Sequence, residues 1–140
     1  MLLFFVFLAL AHSSSPSSGP VKHIVMFRFE PNVTSDVVEK VVTTYLALKD
    51  VCVDPDTNET YITSFVGGTP NSKEGFQQEM QVAFIVELPN LYYRDYFVGR
   101  PFTTPYDPHH DAFKQFVGPL LRKPVAEGLI VVDFVDGLFE

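Results

Sequence analysis

The segment Asp107-Pro108-His109-His110-Asp111 holds the chain's densest set of groups able to bind a metal or move a proton. Asp is a helix-capping residue and Pro suits the first helical position, so the segment reads as a helix start with His110 about three residues in. There the helix dipole and free N–H groups disfavour an imidazolium and keep the ring neutral, the form that can act as a base. A half-exposed histidine with no chemistry fits the same position. A metal site from Asp107, His109, His110 and Asp111 is not expected, because neighbouring helical residues point about 100° apart and no histidine pair is spaced i, i+4. His23 alternates with Val25, Phe27 and Phe29 and reads as a hydrogen-bonded core or pocket-wall histidine, with catalysis the competing reading. Tyr92, Tyr93, Tyr96 and Phe97 form a cluster that suits either core or the wall of a site for an apolar or aromatic ligand. Cys52, the single cysteine, excludes an intrachain disulfide and a thiolate metal cluster and reads as a semi-buried structural thiol.

These residues need elements to position them. Val21 to Glu30 alternates strictly and predicts strand one. After Pro31-Asn32, Thr34 or Ser35 can cap a helix whose buried stripe is Val38, Val41, Val42, Tyr45 and Leu48. The turn cluster at 54–58 precedes strand two, Thr60 to Val66, closed by Gly67-Gly68. Strand three is expected over Gln77 to Leu88, and a short aromatic helix over Leu91 to Val98. The two prolines in Gly99 to Tyr106 force a loop. The helix beginning at Asp107-Pro108 buries Phe113, Phe116, Val117 and Leu120, and Gly128 to Asp136 is strand four, apolar apart from Asp133. The order β-α-β-β-α-α-β is that of an α+β, ferredoxin-like fold with an antiparallel sheet. Strand four is apolar on both faces, which predicts two sheets packed face to face in a homodimer.

Length, composition and charge set the outer bounds. A chain of 140 residues is one domain, and 46% hydrophobic with 14% aromatic residues describes a globular protein. A net charge of −7 argues against nucleic acid and anionic lipid as partners. Residues 1–20 read as a leader: the apolar run Met1 to Ala11 is too short to span a bilayer, and Ala9-Leu10-Ala11 supplies the small residues a signal peptidase reads. A polar linker follows, and the domain occupies 21–140. Secretion with cleavage near Ala11 or Ser13 is the expectation, with no membrane span left after cleavage, although the run lacks a positive n-region and a cytoplasmic protein with a misassigned start is the alternative. The sequons at Asn32 and Asn58 would then be open to glycosylation.

Several short motifs occur together in order. Val21-Lys22-His23-Ile24-Val25 with Phe27-Arg28-Phe29, then Asp95-Tyr96, Asp107-Pro108-His109-His110 with Phe113, Pro119-Leu120 and Val132-Asp133-Phe134 resemble the stress-responsive dimeric α/β barrel (Dabb) family over nearly all of Val21 to Asp136. The resemblance implies a dimeric α/β barrel whose members include small stress-induced proteins and a plant polyketide cyclase. From that cyclase it implies a cofactor-independent Tyr/His pair, with Tyr96 in the tyrosine position, His110 as the base, and His23, Phe27, Tyr92 and Phe113 around the pocket. Such a pair needs no metal, since the imidazole takes a proton beside a carbonyl and the hydroxyl supports the developing enolate. A haem- or oxygen-using relative would need an axial ligand that is not evident. The sequence departs from the family at Asp107, where a His is expected, near Met80, where a pocket His is absent, and at the inserted Gly99 to Tyr106. A binding or stress-protective dimer is the favoured reading and a polyketide cyclase or lyase the alternative, with Tyr96 and His110 expected to face one cavity partly covered by the insertion.

Overall fold

In the computed structural model, residues 19–139 are described, so most of the leader lies outside the described residues. The elements run β1 (Val21–Phe27), α1 (Ser35–Leu46), α2 (Leu48–Val51), β2 (Ser64–Gly68), β3 (Val82–Leu88), α3 (Leu91–Val98), α4 (Pro108–Val117), a 3-10 turn (Gly118–Leu120), α5 (Val125–Gly128) and β4 (Leu129–Val135). The strands form one antiparallel sheet in the order β2-β3-β1-β4, and with the helices this is an α+β ferredoxin-like fold.

Alternation in β1 puts Val21, His23, Val25 and Phe27 on the buried face, while Lys22, Ile24 and Met26 point to the other side. The inner face continues through Val82, Phe84, Val86 and Leu88 of β3, and Val41 and Tyr45 of α1 pack over it. Register then fixes which polar groups meet. His23 lies opposite Asp133 of β4 and Lys22 opposite Glu87 of β3, so one polar pair falls on each face. Gly67 is needed where it stands, because a Cβ there would come 2.4 Å from the ring of Phe84.

Two strands start later than the sequence pattern suggests. β2 begins at Ser64 because the chain before it is held elsewhere: Thr60 bridges to Val53, and the buried Tyr61 hydroxyl donates to Asp107 over 2.7 Å. β3 begins at Val82 because Gln78 and Glu79 take left-handed backbone conformations, φ 53 and 57, that interrupt any strand. α3 occupies the expected span, and α5 is an additional turn of helix before β4.

The helix start at Asp107 is built as its residue types require. The carboxylate accepts from the backbone N–H of His109 (2.8 Å) and of His110 (3.2 Å), and Pro108 opens the helix. Asp107 is 1% exposed, so the Tyr61 hydroxyl supplies a further donor in place of water.

Asp107→Ala removes a cap and leaves the Tyr61 hydroxyl buried without its acceptor, so it should cost about 2–4 kcal/mol in urea denaturation. A loss within about 0.5 kcal/mol, the range of an unremarkable surface change, would contradict this account of the residue.

Candidate functional site

Between the inner face of β1 and β4 and the helices α1 and α4 lies a cavity of about 490 Å³. Its wall is mainly apolar, with Val25, Phe27, Phe113, Leu129 and Val131 prominent. The polar groups reaching it are few: His23, Tyr45, His110 and Asp133 in the wall, and Lys114 and Lys123 beside them.

His110 projects inward from the first turn of α4 and is 6% exposed. Its Nδ1 pairs with the carbonyl oxygen of Phe97, so Nδ1 carries the proton and Nε2 the lone pair. The ring stacks on Phe97 at 3.8 Å and 8°. Burial pushes its pKa down to about 3; the Phe97 carbonyl opposes that shift, while His23 and Lys114 add to it. The ring is therefore neutral at pH 7, chiefly through burial. A base with so weakly basic a nitrogen is poorly matched to proton abstraction near neutrality.

His23 is held differently. Its Nδ1 is 2.6 Å from Oδ1 of Asp133, whose Oδ2 accepts from Arg94 Nη1 at 3.1 Å. Burial opposes the charge on Asp133, yet the bonds from His23 and Arg94 prevail and its carboxyl is held below the usual range. An ionised carboxylate on Nδ1–H fixes the ring's orientation and directs the remaining chemistry to Nε2. The sequence signal for this pair was the one acidic residue in an otherwise apolar fourth strand.

Of the six residues singled out around a pocket, the structure brings His23, Phe27, His110 and Phe113 together on the cavity wall. Tyr96 and Tyr92 are not among the lining residues. Successive residues of α3 point about 100° apart, and the one directed at His110 is Phe97. Tyr96 packs instead against Tyr61, with ring centroids 5.7 Å apart, and Tyr92 is half exposed. The tyrosine that does reach the cavity is Tyr45, read from the sequence only as part of a helix stripe. It is 1% exposed, stacks on Phe113 at 4.3 Å, and burial raises its pKa.

The inserted loop is an ordered excursion whose ends meet. Gly99 has φ 59 and packs so closely on Tyr106 that a Cβ would lie 2.6 Å from the Tyr106 Cβ. Phe102 and Thr103 N–H groups return to the Gly99 carbonyl, and Arg100 lies over the Tyr106 ring at 4.3 Å. The loop contributes Phe102 to the cavity rim. Asp107, His109, His110 and Asp111 diverge: Asp107 caps, His109 is exposed, His110 points inward and Asp111 pairs with Arg100. Cys52 is fully buried, and burial together with nearby Asp107 raises its thiol pKa, so it is an unreactive structural thiol. Asn32 and Asn58 are both exposed. No helix among the described residues is long and apolar enough to cross a membrane.

The sequence matches the Stress responsive A/B Barrel Domain (Dabb) over residues 21–136. The chain belongs to that family. No curated protein matches it in sequence. Among solved structures, it is similar to hydroxynitrile lyase from Passiflora edulis at 14% identity and TM-score 0.64, covering 88% of this chain and 99% of that one. An Arabidopsis thaliana protein gives 19% identity and TM-score 0.62, with 86% and 98% covered. A dimeric ferredoxin-like protein of unknown function from Jannaschia sp. gives 19% and 0.62, with 83% and 98% covered. At these identities the likeness shows the fold. Within this A/B barrel, Asp107 serves as the cap that aims His110 inward.

The burial of His110 predicts a pH dependence with a definite sign. Unfolded, the ring takes a proton near pH 6.5; folded, it resists until about 3, so between those values the unfolded state holds more protons and stability falls as pH is lowered. Relative to His110→Phe, wild type should lose about 2 kcal/mol between pH 7 and pH 5 in urea denaturation. Equal losses in the two proteins would show that His110 is not held neutral by burial.

Proposed function

We propose that this A/B barrel is a small homodimeric binding module that holds an apolar or aromatic small molecule in the cavity beside His23 and His110, in a stress-related role. The observation that carries the reading is the cavity itself: about 490 Å³, largely apolar, with a few convergent polar groups. That is the size and lining of a site for a small organic ligand. No cofactor is needed for such binding.

The homodimer rests on the outer face of the sheet. Val66, Ile85, Val132 and Phe134 are each between 42% and 54% exposed there, around Ile24 and the Lys22–Glu87 ion pair. A contiguous apolar sheet face of this kind favours burial against a second copy, and the Jannaschia sp. neighbour is described as dimeric.

A second reading, a cofactor-independent cyclase or lyase acting on a polyketide-like carbonyl compound, is favoured by one observation, the His23–Asp133 pair. In it His23 Nε2 takes the proton beside the carbonyl and Asp133 stabilises the imidazolium, while Tyr45 on the same wall is the available hydroxyl. The Tyr96/His110 pair is less suited to this chemistry, since Tyr96 lies off the cavity and His110 is too weak a base.

Titration with the neutral fluorescent dye N-phenylnaphthylamine should give saturable binding that weakens roughly tenfold or more in Leu129→Phe, which fills the cavity. A dye that does not bind, or binds both proteins equally, would remove the binding reading. Light scattering at micromolar protein should give twice the chain mass, falling toward the monomer in Val132→Glu. A monomer mass for wild type would remove the dimer.

A further inference from the structure

The binding reading leaves the ligand's polar end unspecified, and the charges around the cavity bear on it. The chain carries 17 acidic against 10 basic residues, yet the side chains at the cavity include two ammonium groups, Lys114 and Lys123, and one carboxylate, Asp133. That carboxylate is already matched by Arg94 and His23. The lysines are matched by neutral groups. Lys114 Nζ donates to the carbonyls of Val98 (2.7 Å) and Arg100, and Lys123 Nζ to that of Gly118 (3.0 Å). Asp111 acts on Lys114 through its charge while bonding Arg100 and Gln115, and Glu30 takes Arg122 and the backbone N–H of Lys123.

Both lysines line the cavity. Lys114 is anchored at the carbonyls of Val98 and Arg100, beside the loop, and Lys123 at that of Gly118, where α4 ends. Below them the wall is Phe113, Val117, Leu121 and Leu129. Two ammonium groups bonded to neutral carbonyls and set on the rim of an apolar cavity are complementary to a molecule with one anionic end and an apolar body.

Resting on the binding reading, we propose that the cavity takes an amphipathic monocarboxylate, its aliphatic or aromatic body among Val25, Phe27, Phe113 and Leu129 and its carboxylate against Lys114 and Lys123. Lysine ammonium groups suit this role because a carbonyl-bound ammonium has donors to spare and the carboxylate replaces water rather than an existing ion pair. Phe102 of the inserted loop shares the rim and covers the apolar part of the ligand nearest the opening.

Binding of dansyl-labelled undecanoic acid and of its methyl ester, measured by dansyl fluorescence on the intact domain, tests the proposal. The acid should bind roughly tenfold tighter than the ester. That preference should shrink in Lys123→Gln, invert toward the ester in Lys123→Glu, and diminish with added salt. Lys114→Gln should act in the same direction, and Lys123→Gln stands as the independent variant because it leaves the bonds from Lys114 to the loop intact. If acid and ester bind wild type equally while the neutral dye is still bound, the carboxylate assignment is overturned and the cavity reading survives. If none of the three binds, the binding reading itself has failed and this proposal with it.

Discussion

The buried carboxylate of Asp107 is the interaction on which the arrangement of the site depends. One side chain ends the inserted loop, caps α4 through His109 and His110, and receives the Tyr61 hydroxyl, while its own backbone N–H is tied to the carbonyl of Tyr96. A carboxylate this deeply buried is tolerable only because each of those donors faces it. By starting α4 at this point, it sets the direction in which His110 enters the cavity and in which Phe113 and Val117 follow one and two turns later. It also ties Tyr61, three residues before β2, to the start of α4.

The two inward histidines show how environment separates residues of one type. His110 is sealed beneath an aromatic ring and bonded to a neutral carbonyl, so burial dominates and the ring stays neutral. His23 faces an ionised carboxylate supplied by strand register and braced by Arg94. The first arrangement shapes a wall; the second orients a nitrogen. That contrast favours His23 over His110 as the group able to do chemistry on a bound molecule.

Much of the fold was legible in the sequence because its signals are local. Alternation in β1, the Asp107-Pro108 helix start and the proline-bounded loop each declare themselves within a few residues, and the element order then selects the ferredoxin-like topology. The site was legible in part. His23, Phe27, His110 and Phe113 fall on periodic faces, and periodicity assigns faces well. Tyr96 and Tyr45 could not be separated this way: both sit on helices with apolar stripes, and a turn of about 100° between Tyr96 and Phe97 decides which ring reaches His110. The His23–Asp133 pair joins residues 110 positions apart and depends on sheet register. The late start of β3 follows from left-handed backbone at Gln78 and Glu79, residue types that give no warning of it.

The space between the sheet and α4 is a preformed, mainly apolar site. Xenon pressurisation of a crystal of the domain tests this most directly, since xenon occupies dry apolar cavities and avoids polar, hydrated ones. A xenon atom should appear among Val25, Phe27, Phe113 and Leu129, with the surrounding side chains unmoved. Ordered waters filling that volume, or a collapsed wall with no space for the atom, would contradict it.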